Sequence, residues 1–266
     1  MRKFLLLSCL IFISVNVAMA HQGIHEQVDF LNERLKKQPT YQLYAQRAHL
    51  YFEGGQYDSA LKDLDKASKM GPKEPLLLEY GNIYLLKGDA AKALKYFSQF
   101  INFNDKFGEA YQARAKAHQN LGQTADAIQD LKRSFQLQQF PHPGLYIEAS
   151  NLIYSNKTSN LLSALDLLDD GIKRLGVQGQ LQEHAIKLLL ENNRPAFATE
   201  RMLLLGNERN HNVFWRFEYA QLLLKTGRKS DANLELKRAL NESKGNKNAA
   251  VADLRLKISQ QLSQLN

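Results

Sequence analysis

Histidine is the side chain in this sequence best suited to metal or proton chemistry, so its spacing is read first. There are seven: His21, His25, His49, His118, His142, His184 and His211. His21 and His25 lie one helical turn apart. A chain processed to begin at His21 would offer a terminal amine and an imidazole that chelate copper, with His25 as a further ligand. No other ligand is close in sequence, and a cleavage that happens to leave histidine at a frayed end accounts equally well for the pair. His118 falls where neighbouring segments place tyrosine, which suggests a packing role. Two carboxylate pairs, Asp63 with Asp65 and Asp169 with Asp170, occur in helical segments at spacings that splay their side chains. A solvated helix face is the expectation for both. The sequence has no glycine-rich phosphate loop, no Gly-x-Ser-x-Gly elbow and no His-Glu-x-x-His pair. Cys9 is the single cysteine, so the rest of the chain has no disulfide or thiolate chemistry. Neither enzymatic activity nor a cofactor is expected.

The first twenty residues set the expected compartment. Arg2 and Lys3 precede an apolar run, Phe4–Val17, and Ala18-Met19-Ala20 places small residues where signal peptidase reads them. This pattern predicts a secretory signal peptide cleaved after Ala20. The run is short of the ~20 apolar residues of a membrane-spanning helix. Leu6-Leu7-Ser8-Cys9 loosely matches a lipoprotein processing site but comes too early in the leader. A cysteine-free mature chain suits an oxidising space, and the short leader is of bacterial type, which points to a periplasmic or secreted protein. The whole chain carries +8. Without Arg2 and Lys3 there remain 33 basic and 27 acidic residues, a net +6. Much of the excess lies in residues 213–266, with ten Lys/Arg against five Asp/Glu. Such an end suits weak association with an anionic envelope surface or an acidic partner, although a solvated helical surface accounts for it more simply. No nucleic-acid partner is expected.

The elements that must position any site are helical hairpins. In Tyr41–Glu53, Tyr44, Ala48 and Tyr51 recur at steps of four and three, one face of a helix. Gly54 and Gly55 break it, because glycine enters positive φ without steric cost. Tyr57, Ala60, Leu61, Leu64 and Ala67 then resume the period, and Gly71-Pro72 ends it. Ala48 and Ala60 are small where paired helices cross closely. The unit recurs. Gly81, Tyr84, Gly88, Ala93 and Phe97 repeat it over 74–107, and Tyr111, Ala115, Gly122, Ala127 and Leu131 over 108–141. Weaker copies follow with Tyr146, Ser150, Ile153, Ala164 and Leu168 over 142–177, and with Ala185, Leu188, Ala198 and Met202 over 178–212. A clearer one, with Trp215, Tyr219, Ala220, Gly227, Ala232 and Leu236, spans 213–246.

Period, small positions and turn glycines together resemble the tetratricopeptide repeat family. The resemblance implies an all-α, right-handed superhelical solenoid of antiparallel helix pairs. The domain reading is a signal peptide over 1–20, an N-terminal capping helix over 21–40 (Ile24, Val28, Leu31, Leu35), about six repeats over 41–246, and a C-terminal capping helix over 247–266 (Leu254, Ile258, Leu262, Leu265). One continuous superhelix is the simplest arrangement, with a break at Pro141-His142-Pro143-Gly144 as the alternative.

In this family the first helices of successive repeats line a concave groove. Carrying the register over gives His49 and Phe52, then Asn82, Leu85 and Leu86, then Gln112, Lys116, Gln119 and Asn120, then Asn151 and Tyr154. The lining is amide-rich with apolar patches, which suits an extended peptide. The family's carboxylate-clamp positions hold Ala45, His49, Glu79, Glu109 and Ala113, and two glutamates there would repel a carboxylate. The sequence reading is therefore an exported, non-enzymatic scaffold or adaptor for a protein or peptide partner, in the assembly of an envelope complex. The rival reading is a periplasmic metal- or ligand-handling protein that uses His21 and His25.

Overall fold

The computed structural model describes residues 23–155, 160–176, 179–208 and 212–265. Residues 1–22, which include Cys9 and His21, and His211 lie outside them. All regular structure among the described residues is helical, and the chain is an all-α solenoid of helix pairs. It divides into two compact units, 1–139 and 140–266.

The first unit runs α1 (23–37), α2 (Tyr41–Glu53), α3 (Tyr57–Ser68), a 3-10 turn (Glu74–Leu76), α4 (Leu77–Leu86), α5 (Ala90–Phe103), α6 (Gly108–Asn120) and α7 (Thr124–Leu137). The second runs α8 (Pro143–Ser155), α9 (Leu161–Leu175), α10 (Gly179–Glu191), α11 (Pro195–Glu208), α12 (Val213–Lys225), α13 (Lys229–Glu242) and α14 (Ala249–Leu265). The strongest packing joins α2 to α3, α4 to α5, α6 to α7, α8 to α9, α10 to α11 and α12 to α13. In the first unit α1 buries Val28, Leu31 and Leu35, and the two leucines cluster with Leu43 of α2. In the second, α14 buries Val251, Leu254, Ile258 and Leu262, and it packs on α13 and α12. Each of these single helices therefore covers apolar surface that a paired helix leaves open.

One turn closes five of the hairpins. Gly55, Gly88, Gly122 and Gly227 all have φ between 71° and 82°. The next residue's N–H donates to the carbonyl five residues back, as in Gln56 to Tyr51 (2.7 Å) and Arg228 to Leu223 (2.8 Å). This six-to-one bond satisfies a carbonyl that the helix end would otherwise leave unpaired. In the α10–α11 hairpin Asn193 takes that place with φ 54°, and Arg194 N–H donates to Leu189 O at 2.8 Å. Asparagine is the residue after glycine best able to enter this region.

That turn corrects the register expected for α10. Leu189 occupies the place that Tyr51 and Leu223 hold in their hairpins, so Ile186, not Ala185, stands opposite Ala198. Ala185 is buried one position earlier. Alanine spacing alone is misleading here, because the paired small positions are 12 residues apart in the regular hairpins and Ala185 is 13 from Ala198.

The crossing points are closed. Ala48, Ala60, Ala93, Ala115, Ala127, Ala220 and Ala232 are all 0% exposed. Gly81 takes the corresponding place on α4 because its partner helix carries Phe97 where α3, α7 and α13 carry Leu64, Leu131 and Leu236. A methyl on Gly81 would lie 2.4 Å from that ring.

Beside the crossing, ion pairs join the two helices. Arg47 Nε and Nη2 donate to the two carboxylate oxygens of Asp63 at 2.6 and 2.8 Å, and Arg114 holds Asp130 likewise at 2.7 Å on both oxygens. Asp63 is 2% exposed, which corrects the expectation that it belongs to a solvated face. Its partner lies on the preceding helix, so spacing within α3 carries no sign of it. Asp65 is exposed and accepts from the Tyr80 hydroxyl at 2.6 Å. Asp169, half exposed, pairs with Arg201 at 2.7 Å, and Asp170 is exposed.

Candidate functional site

The hairpins hold the first helices (α2, α4 and α6 in one unit, α8, α10 and α12 in the other) with one face against their partner helix and another clear of it. In the first unit this clear face begins at α2. Thr40 caps that helix, its hydroxyl accepting from Leu43 N–H at 3.3 Å. His49 is exposed and bridges two helices. Its Nδ1 lies 3.1 Å from Glu79 Oε1 on α4, and its Nε2 lies 3.4 Å from Glu53 Oε1 on its own helix. The imidazole stacks on Phe52 with ring centres 6.4 Å apart, and Phe52 meets Tyr57 at 6.3 Å. Burial raises the Glu79 carboxyl above its ordinary range, with His49 pulling in the opposite direction.

Further along, Asn82 is half-buried and Leu86 is 58% exposed. Leu85 leans on the core formed by Ala93, Phe97 and Ala117, so much of its surface is committed to packing. On α6, Lys116 and Asn120 are exposed while Gln112 and Gln119 are half-buried. His118 is mostly buried, its Nδ1 2.7 Å from Gln123 Oε1 and its Nε2 3.6 Å from Asp130. In the second unit Asn151 is exposed on α8. The Tyr154 hydroxyl accepts from Asn192 Nδ2 at 2.9 Å, which ties α8 to the end of α10.

Register along the sequence had stopped short of a second stretch of this face. A cleft of about 550 Å³ lies between α10 and α12, floored by Met202 and Leu205 of α11 and lined by Ile186, Leu190, Phe214 and Trp215. Glu183, Lys187, Glu191 and Glu218 edge it. Trp215 is anchored: its indole N–H donates to Met202 O at 3.0 Å. The missing signal was the turn. With Asn193 recognised as the equivalent of the turn glycines, Lys187 takes the place on α10 that His49 holds on α2, and Glu218 takes the place on α12 that Glu79 holds on α4.

Other expected features are placed as follows. His25 is exposed on α1. Among the described residues no group of three or more His, Cys, Asp or Glu is arranged to hold a metal ion, and no helix is long and apolar enough to cross a membrane. At the basic end the arginines are used internally. Arg216 pairs with Glu235 and Glu242 at 2.7 and 2.8 Å, Arg238 with Glu235 at 2.6 Å, and Arg228 with Asp231 at 2.6 Å. Arg255 donates to the carbonyls of Ser243 and Asn246 beyond the end of α13. Lysines such as Lys225, Lys237 and Lys257 add exposed positive charge there.

Fold and clear face together define the class: a helical-repeat protein whose exposed first-helix surface is its chemical variable. Comparison with known proteins agrees. Residues 46–107 and 108–140 match models of the tetratricopeptide repeat. The C-terminal part of a TPR repeat-containing protein from Cytophaga hutchinsonii superposes with a TM-score of 0.65 at 17% identity, over 87% of this chain and 94% of that one. A tetratricopeptide repeat protein from Parabacteroides merdae gives 0.50 at 18% identity, over 91% and 99%. In sequence, the BBSome complex member BBS4 of Mus musculus is 28% identical over 152 residues, 56% of this chain and 26% of that protein. Tetratricopeptide repeat protein 13 of Homo sapiens is 26% identical over 96 residues, 36% of this chain and 11% of that protein. The chain therefore spans about a quarter of the first relative and a tenth of the second. Residues 46–140 therefore carry tetratricopeptide repeats, and the chain has the fold of proteins built from them; such repeats suggest a protein-interaction scaffold, and the family is generally non-catalytic.

Proposed function

We propose that this chain is an exported, non-enzymatic adaptor that holds a protein or peptide partner against its first helices, in a bacterial periplasm and during assembly of an envelope complex. The observation that carries the binding mode is the contrast between two faces of the same helices. Toward the partner helix, Ala48, Gly81 and Ala115 are sealed. On the other face, His49, Leu86, Lys116 and Asn120 stand exposed beside the half-buried Phe52, Asn82 and Gln112. Amides and a lysine suit a peptide backbone, and the apolar residues between them suit its side chains. Export rests on the basic, apolar and small-residue pattern of the first twenty residues.

The test is affinity capture from an envelope extract by the mature chain, beside an Asn82→Ala/Lys116→Ala variant. A partner retained by the first and lost by the second is the expected result. Equal retention by both would move the interface off this face. Intact mass of the protein recovered from the producing cell should correspond to a chain that starts at His21, and a mass that retains residues 1–20 would remove the export reading.

A further inference from the structure

The imidazole of His49 stands between carboxylates of two successive repeats. Its Nδ1 is 3.1 Å from Glu79 Oε1 on α4, and its Nε2 is 3.4 Å from Glu53 Oε1 on α2. Among the described residues these two carboxylates are the charged groups that face it. Other charges nearby are committed elsewhere. Asp58 of α3 pairs with Lys87 at the end of α4 at 2.6 Å, and Asp63 of α3 holds Arg47. A neutral imidazole carries one N–H and one lone pair, so it can donate to only one of two carboxylates. The imidazolium presents an N–H to each.

We propose that His49 is a pH-operated clip between the first two repeats: protonated, it joins α2 to α4 through Glu79, and neutral, it lets that junction go. This clip goes beyond the adaptor reading and does not depend on it. The Glu79 side chain is only 19% exposed, so water and salt screen its charge less than that of a surface carboxylate. The ring is seated on Phe52, with centres 6.4 Å apart, which holds it in place between the two acids. Glu53 adds a second, more exposed attraction that is worth little by itself.

The clip needs Glu79 ionised and His49 protonated, so it has two edges in pH. Histidine changes charge near neutrality, and the attraction is lost as pH rises through that range. Burial raises the Glu79 carboxyl above its ordinary value, with His49 opposing, and the attraction is lost again as pH falls through that raised value. The clip is closed in a band on the acid side of neutrality and open at pH 8. Because it lies on the clear face of α2 and α4, opening it also changes the charge beside Phe52 by one unit.

The test is a double-mutant cycle on the full mature chain with His49→Gln, Glu79→Gln and both together. Glutamine removes each charge and keeps a side chain that can hydrogen-bond. Urea unfolding of the first unit, followed through NMR signals of α2 and α4 amides, is compared at pH 6 and pH 8. The coupling, expressed as a folded-to-unfolded ratio, should be about threefold at pH 6 and absent at pH 8. Glu53→Gln should leave most of it in place. Equal coupling at both values would overturn the proposal, since a neutral ring would then serve as well. Absence of coupling at both would overturn it too. Should Glu79→Gln fail to fold, the exposed His49→Gln carries the test. The unsubstituted chain should lose about threefold in that ratio relative to His49→Gln between pH 6 and pH 8, and parallel pH profiles would overturn the clip. The capture experiment with Asn82→Ala/Lys116→Ala reports separately on the adaptor reading.

Discussion

The pairing of Gly81 with Phe97 shows how one residue's size is set by another on the partner helix. Where the partner is Leu64 or Leu131, the crossing carries alanine. Where it is the larger Phe97, fully buried, only glycine fits. Gly81→Ala should therefore destabilise the first unit by about 1–3 kcal/mol, the range for overpacking a closed core. The gain in helix propensity that alanine brings, about 1 kcal/mol, is too small to reverse this. Adding Phe97→Leu should recover part of the loss, since it restores the combination found at Ala48 with Leu64. A denaturant-melting double-mutant cycle would detect the coupling. Additive effects would mean that the two residues do not share space as described.

At the scale of the hairpin, the paired helices are joined in two chemically different ways. α2 with α3 and α6 with α7 use a two-pronged arginine–aspartate pair. The equivalent places on α4 and α5 hold Tyr80 and Tyr96, stacked with ring centres 4.9 Å apart and 9° between planes. Burial is the main reason the Tyr80 phenol ionises only at raised pH, and its bond to Asp65 adds to this. The exchange of an ion pair for stacked rings within one chain suggests that the charges are replaceable as a pair but not singly. Asp130→Ala leaves a half-buried guanidinium with no carboxylate, only a 3.4 Å contact to Ser98 and the Tyr111 ring 5.5 Å away, and should cost about 3–5 kcal/mol. Arg114→Tyr/Asp130→Tyr should cost clearly less, as read by urea unfolding midpoints. A double variant as unstable as Asp130→Ala would show that the charges themselves are required.

At the scale of the whole chain, stability depends on covering the last open surface. α14 covers the outer side of α12 and α13 through Val251, Leu254, Ile258 and Leu262, and Gln221 and Gln261 bond across the junction at 2.5 and 3.2 Å. Each of the larger side chains is worth roughly 1.5–3 kcal/mol when removed from water, a large share of the 5–15 kcal/mol typical of a domain. A chain ending at Asn246 should melt at lower temperature and associate with rising concentration in light scattering, as uncapped repeats do. A monomer with unchanged melting would refute the capping role.

The sequence by itself determined the helices, their pairing and the family resemblance. Those features follow from local period, turn glycines and small crossing residues, all of which act over fewer than 34 residues. It also pointed to His49, Asn82 and Lys116, because register carries a surface position from one regular repeat to the next. Three things waited for the tertiary structure. Asp63 read as solvated because its partner Arg47 lies 16 residues away on another helix. The register of α10 was one residue off, because asparagine does there what glycine does elsewhere, and only the backbone angle of Asn193 reveals the equivalence. The cleft at Phe214 and Trp215 is formed by three helices, α10, α11 and α12, and a cavity between helices is a property of their packing that no single helix encodes.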